Sequence, residues 1–250
     1  MSGHSKWSTI KRQKAAGDAK KGQAFTRATR DIMLAARQGG GNAEANFRLR
    51  MAIEKARAVG MPKDNIQRAV DRATGSGDGS TLEEILYEGY GPGGVSIMVE
   101  AATDNRNRTA GEIRSVFTKH GAKLGESGSV QWMFEQKGVL DVDTHGKKVD
   151  EIELRAIDAG AEDVEANEGA NTVTIYTAPG QIERVKQELE RQGERVTSAE
   201  VSMRPNQTVR VEGPAADKVL RLVDALEELD DVQRVHANFD IPDEILAKVS

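Results

Sequence analysis

Gly138-Val-Leu-Asp-Val142, Asp150-Glu-Ile-Glu-Leu-Arg-Ala-Ile-Asp-Ala159, Asp163-Val-Glu-Ala-Asn167 and Thr172-Val-Thr-Ile-Tyr-Thr177 follow one another in the second half of the 250-residue chain, and their order decides the fold. The first, third and fourth are short, β-branched runs bounded by turn residues and read as strands. The second has the length and apolar spacing of a helix and is closed by Gly160. A helix over Pro179–Gln192, stopped by Gly193, and a strand over Ala199–Met203 complete the series. Strand, helix, strand, strand, helix, strand is the ferredoxin-like split unit.

The flanks of this unit belong together. On the near side, Val95, Ile97 and Val99 alternate with Ser96 and Met98 as a strand. Thr109 and Glu112 make a capping box for a helix carrying Ile113, Val116, Phe117 and His120, and a strand region ends near Val130–Phe134. On the far side come a strand around Thr208–Glu212, a helix from Pro214 with Val219, Leu222, Val223, Leu226 and Leu229 on one face, and a last strand with Val235, Ala237 and Phe239. With the middle lifted out, the flanks read βαβ twice. The expectation is a discontinuous α/β domain, 81–133 with 206–250, holding a similar domain inserted at 134–205.

Ahead of both lie three predicted helices. The first covers about 22–38, with Phe25, Ala28, Ile32, Ala35 and Ala36 at helical spacing, and stops at Gly39-Gly40-Gly41. The second covers about 43–59, with Asn42 as N-cap, Phe47, Met51 and Val59 inward, and Gly60 at its end. The third opens at Pro62, uses Ile66, Ala69, Val70 and Ala73, and stops at Gly75. Gly75–Ser80 reads as a linker, so a basic helical domain with an N-terminal arm spans 1–80. The fold class expected is α+β: a three-helix domain followed by two ferredoxin-like domains, one inside the other.

The net charge of −5 conceals an asymmetry. Residues 1–75 hold 16 lysines and arginines against six acids, a surplus of ten; the remainder carries an excess of 15 negative charges. A basic segment on an acidic chain points to a polyanion partner. The arm Gly3-His-Ser-Lys-Trp-Ser-Thr-Ile-Lys-Arg-Gln-Lys14 concentrates this charge. Lysine and arginine gain affinity by releasing counterions from phosphates. Trp7 among them has two readings, a stacking surface for an unpaired base or an anchor that pins the arm to the helices. The nucleic-acid-binding set expected is His4, Lys6, Trp7, Lys11, Arg12, Lys14, Lys20, Lys21, Arg27 and Arg30.

Two further motifs stand out. Glu88-Gly-Tyr-Gly-Pro-Gly-Gly94 is glycine-rich but fits no phosphate-binding loop, since no Lys-Ser/Thr follows and it leads into a strand; it reads as a turn between strands. Thr103-Asp-Asn-Arg-Asn-Arg-Thr109 sits before a helix N-terminus, which makes Arg106 and Arg108 secondary phosphate-contact candidates, against a plain capping and ion-pair role. No catalytic constellation is visible. His4, His120, His145 and His236 are isolated, and no metal-ligand spacing or nucleophile elbow occurs. Cysteine is absent, which removes disulfides and thiolate sites. No enzyme activity, metal or cofactor is expected. With no signal sequence and no apolar run long enough for a membrane span, a cytoplasmic protein that does not engage membranes is expected.

The arm, Phe47-Arg-Leu-Arg50, Ala58-Val-Gly-Met-Pro-Lys-Asp-Asn-Ile66, Tyr90-Gly-Pro-Gly-Gly94, Thr103–Thr109 and Gly125-Glu-Ser-Gly-Ser-Val-Gln-Trp-Met-Phe134 together resemble the YebC family, also called YebC/PmpR, along essentially the whole chain. The resemblance implies a helical N-terminal domain and two α/β domains, one inserted in the other. It implies a DNA-binding transcriptional regulator in the cytoplasm. Other members, mitochondrial relatives among them, look like translation factors at the ribosome that help synthesis through stretches such as polyproline, with ribosomal RNA as the partner. None of the three helices offers the turn and exposed recognition helix of a helix-turn-helix, so phosphate contacts are expected over base readout.

Overall fold

The computed structural model describes residues 18–75, 82–167 and 171–242, with side chains from Lys21 onward. Three helices come first: α1 (Asp18–Gly39), α2 (Phe47–Ala58) and α3 (Lys63–Thr74). Their shared core is small-residue rich, with Ala35, Ala36, Ala52, Ala56 and Ala69 packed around Ile32, Leu49, Ile66 and Val70. Alanines let the helices approach closely, and each fully buried Ile or Leu contributes about 1.5–3 kcal/mol. The cap of α2 is Asn46, not Asn42. Its Oδ1 accepts from the Leu49 amide while its Nδ2 donates to the carbonyls of Ala35 and Gly40, so one buried side chain caps α2 and ties it to the end of α1. Asn42 instead shapes the preceding turn by accepting from the Glu44 amide.

The next unit is a four-stranded antiparallel sheet in the order β3-β1-β2-β9, built from β1 (Glu83–Tyr90), β2 (Ser96–Thr103), β3 (Lys123–Leu124) and β9 (Val232–Ala237). Two helices, α4 (Arg106–Lys119) and α7 (Gly213–Glu227), bury Ile113, Phe117, Val219, Leu222, Val223 and Leu226 against Ile97, Val99 and Val235. The Pro92–Gly94 turn joins β1 to β2, with Gly93 and Gly94 at positive φ, a backbone that glycine adopts freely. Three expectations need correction here. β1 does not show in the sequence, because Ile85, Leu86 and Tyr87 are consecutive apolar residues and no alternation appears; with β1 and β2 as an opening hairpin the strand order within this unit is 3-1-2-4, so it lacks the ferredoxin-like order expected of it. The strand around Thr208–Glu212 shrinks to β8 (Val209–Arg210), which pairs in parallel with β10 (Phe239–Asp240) outside the main sheet. The strand region expected to end near Val130–Phe134 is only β3, and Gln131–Met133 is a tight turn that leads into the next strand at Phe134.

Between β3 and β9 the chain forms a second sheet in the order β5-β6-β4-β7, from β4 (Phe134–Asp143), β5 (Asp163–Asn167), β6 (Thr172–Thr177) and β7 (Arg195–Pro205). All pairs are antiparallel. Counted within the unit this is 2-3-1-4, the ferredoxin-like arrangement, with α5 (Val149–Ala159) and α6 (Ile182–Arg191) on one face over Leu140, Val142, Val173 and Ile175. The protein is therefore α+β, three helices followed by two sheet units, one threaded through the other.

Candidate nucleic-acid interface

His4, Lys6, Trp7, Lys11, Arg12 and Lys14 lie outside the described residues, as does the side chain of Lys20. The other three members of the expected set divide. Lys21 is exposed on the first turns of α1. Arg27 and Arg30 face inward, toward the acidic turn Glu227-Glu-Leu-Asp-Asp231 between α7 and β9. Gln23, Arg27 and Arg30 recur at helical spacing and form one stripe of α1. Gln23 Nε2 donates to the Glu228 carbonyl (2.6 Å), and Arg30 donates to the Asp230 carbonyl and to the Asp231 carboxylate (2.7 Å). Arg27 is desolvated there, which lowers its pKa; Glu227, Asp230 and Asp31 counter that effect, and Nε and Nη2 are buried without a hydrogen-bond partner.

Asp231 organises this corner. It is 2% exposed and collects donors from three elements. Its Oδ2 accepts from Thr103 Oγ1 (3.0 Å), Thr109 Oγ1 (2.6 Å) and Arg108 Nη2 (2.7 Å), while Oδ1 takes Arg30. Burial alone would raise its pKa; the hydroxyl and guanidinium donors overcome that and hold it below the usual aspartate value. The motif Thr103–Thr109 thus serves an internal carboxylate. Its cap is Asn105, whose side chain accepts from the Arg108 amide, and Thr109 turns its hydroxyl into the protein instead of closing a capping box. Arg108 is divided between Asp104 and Asp231, whereas Arg106 is exposed with only a 3.8 Å approach to Glu83.

The helical unit meets the inserted unit through charge as well. Arg50 pairs with Glu183, Lys186 with Glu54 (2.6 Å) and Lys55 with Glu200 (3.1 Å), and Arg48 reaches Glu84 on β1. All three units converge on Arg234. Its guanidinium bonds Glu100 (3.1 Å) and lies 3.6 Å from Glu200, and His236 Nε2 sits 2.9 Å from the other Glu100 oxygen. Burial would raise the Glu100 pKa, but His236 and Arg234 together hold it at about 2. Burial would likewise lower that of Arg234; Glu200, Asp31 and Glu100 raise it.

What remains on the outside is a second set of bases. Lys21, Arg57, Lys63 and Arg72 are exposed and have no ion-pair partner among the described residues, and Arg68 is exposed with only the Asp64 carbonyl. The positive surplus of the helical unit is therefore split between one face consumed by the acidic units and another open to solvent. Reading the sequence by segment totals cannot separate the two, because the partners lie up to 201 residues away.

The sequence also missed two ordering carboxylates and an aromatic pair. Glu88, read as part of a turn, is buried and accepts from the amides of Gly128 (2.6 Å), Val130 (2.7 Å) and Gln131 (2.8 Å). Burial opposes its ionisation, and those three amides more than restore it, leaving its pKa lowered. Trp132 and Tyr90 are 71% and 41% exposed. Asp231, the second carboxylate, carried no local signal; for Trp132, the Gly125-Glu-Ser-Gly-Ser129 run just before it was the available one. Among the described residues no group of three His, Asp or Glu could hold a metal ion, and no helix is long and apolar enough to cross a membrane.

A three-helix unit with exposed, unpaired bases, held by ion pairs to two acidic sheet units, one of them ferredoxin-like, defines the scaffold. Models of the TACO1/YebC N-terminal domain match residues 5–76, and of the TACO1/YebC second and third domain residues 82–239. The chain belongs to the TACO1/YebC family. A probable transcriptional regulatory protein of Dictyoglomus turgidum is 53% identical over the full length of both chains, and one of Rubrobacter xylanophilus is likewise 53% identical over the full length of both. The crystal structure of a conserved hypothetical protein from Aquifex aeolicus has the same fold, with a TM-score of 0.86 and 48% identity over 93% of this chain and 96% of that one.

Proposed function

We propose that this protein is a nucleic-acid-binding regulator of gene expression, a DNA-binding transcriptional regulator that acts without catalysis in the cytoplasm. The observation that carries the reading is the partition of positive charge. The acidic units bury Arg27 and Arg30 and pair with Arg48, Arg50 and Lys55, while Arg57, Lys63, Arg68 and Arg72, on the same unit that carries the basic arm, are exposed with no ion-pair partner among the described residues. Phosphates are the partner such a face suits, because lysine and arginine without internal carboxylates release counterions on binding. The names of the bacterial relatives agree with a regulator. The exposed bases supply register and affinity, with little base readout.

Replacing Lys6, Lys11, Arg12 and Lys14 by alanine tests the arm; replacing Lys63, Arg68 and Arg72 by alanine tests the open face. Each set is expected to weaken duplex DNA binding across sequences. Each should also flatten the dependence of log K on log salt by about 0.9 per lost phosphate contact. Unchanged affinity and slope in both variants contradict the assignment.

A further inference from the structure

Within Val130–Phe134, the tight turn at Gln131–Met133 sends Val130, Met133 and Phe134 into the protein and leaves Trp132 as the one large apolar residue turned out. Its exposure is rigidly held. The indole Nε1 donates to the Ser129 carbonyl (3.1 Å), and the Tyr90 hydroxyl donates to the same carbonyl (2.9 Å). Asn206 Nδ2 donates to the Trp132 carbonyl, and Glu88 fixes the turn from below through three amides. The polar atom of each ring is thereby satisfied inside the protein. What the two rings offer a partner is their apolar faces.

On β3, the residue across from Tyr90 is a base. Lys123 is the cross-strand partner of Tyr90, exposed and without an ion-pair partner among the described residues. It lies four residues beyond Lys119, the end of α4. The outer face of α4 has a shallow open depression lined by Gly111, Arg114, Ser115, Thr118 and Lys119, where two small residues leave room between two bases. Glu126 is the only acid between Gly125 and Trp132.

We propose that Trp132 and Tyr90 form a stacking platform for unpaired bases of a single-stranded nucleic acid, with Lys123, Lys119 and Arg114 receiving its phosphates around the edge of the sheet. Every base has a stackable face, so such a platform is tolerant of sequence, and aromatic faces next to a phosphate track are the features that single-strand binding uses. The inference rests on the reading of the protein as a nucleic-acid binder, but it places a contact on the sheet unit, away from the arm.

The chain has two tryptophans, so a Trp7→Phe variant leaves Trp132 as the sole indole reporter. This full-length variant is titrated with oligothymidylate, oligouridylate, a DNA duplex and a proline-rich peptide. The unpaired oligonucleotides are expected to quench the Trp132 emission, and the duplex to do so weakly. By the anisotropy of a dye-labelled oligothymidylate, which needs no indole, Trp132→Ala and Tyr90→Ala should each weaken oligonucleotide binding about tenfold, with melting temperatures kept near wild type, while Tyr90→Phe stays near wild type. The ratio of thymidylate to uridylate affinity tells a DNA from an RNA source. An emission that no oligonucleotide changes overturns the proposal, and so does an emission that responds to the peptide alone. Adding Lys6→Ala, Lys11→Ala, Arg12→Ala and Lys14→Ala separates the two claims. If Trp132 quenching persists there, the platform stands independently of the arm.

Discussion

Replacing Asp231 by asparagine removes the charge at the corner where α1, β2, α4 and β9 meet while keeping its volume. In the native protein the carboxylate accepts two hydroxyls and two guanidiniums. The asparagine amide group turns donor against donor on one side, so the Thr103 and Thr109 bonds lose about 1 kcal/mol each. Arg30 and Arg108 lose their anion as well. Breaking a fully buried pair costs about 3–5 kcal/mol, but the Arg108 side chain is 44% exposed and water compensates it, whereas Arg30 is only 18% exposed. Arg30 therefore adds roughly 1 kcal/mol and Arg108 little, for a total of about 3 kcal/mol. That is about a hundredfold in the folding equilibrium. Urea unfolding at neutral pH, followed by circular dichroism, measures it. Because Arg30 sits on the helical unit and Asp231 on the sheet unit, a double-mutant cycle with Arg30→Met should show coupling of about 1 kcal/mol. A loss below about 1 kcal/mol, or additive single mutants, refutes the view that Asp231 locks the helical unit in place.

Glu100 predicts an acid limb. Its folded pKa of about 2 lies below the ordinary 4.5, so its contribution to stability is complete above pH 4.5 and is lost as pH falls toward 2. The gap corresponds to at most about 3 kcal/mol. The stability difference between wild type and Glu100→Gln should shrink across that window, and a difference independent of pH would show that Glu100 is not held ionised by Arg234 and His236. Glu88→Gln should speed hydrogen exchange at the Gly128, Val130 and Gln131 amides by about tenfold or more while leaving the α5 and α6 amides unchanged. Equal protection in both proteins would mean that the turn holds its shape without the carboxylate.

The inserted sheet unit was the most legible part of the sequence. β6 lies where its pattern puts it, because Val173 and Ile175 alternate with the polar Thr172 and Thr174, and turn residues bound both it and β5. Legibility fails where apolar residues stand on both faces of a strand. β1 packs Ile85 and Tyr87 toward the helices and Leu86 toward Met98 and Val130, so the period of two is erased. It fails again for charges whose partners are remote. Asp231 reads as one more acid in Glu-Glu-Leu-Asp-Asp, and only the fold shows that it gathers Arg30, Arg108, Thr103 and Thr109. Charge density alone points Arg27 and Arg30 at nucleic acid, whereas the structure sets Arg30 on this carboxylate and Arg27 among Glu227, Asp230 and Asp31. The basic surplus was visible in advance; which part of it stays open was not, since that depends on which helix face the acidic turn covers.

The most direct test of the whole account is crosslinking in living cells, with the bound nucleic acid sequenced and the adducts mapped on the protein. The regulator reading predicts promoter DNA attached to the arm and to the Arg57–Arg72 face of the helices. Recovery of ribosomal RNA alone would reassign the protein to translation, and adducts confined to 134–205 would contradict the claim that the helical unit meets the polyanion.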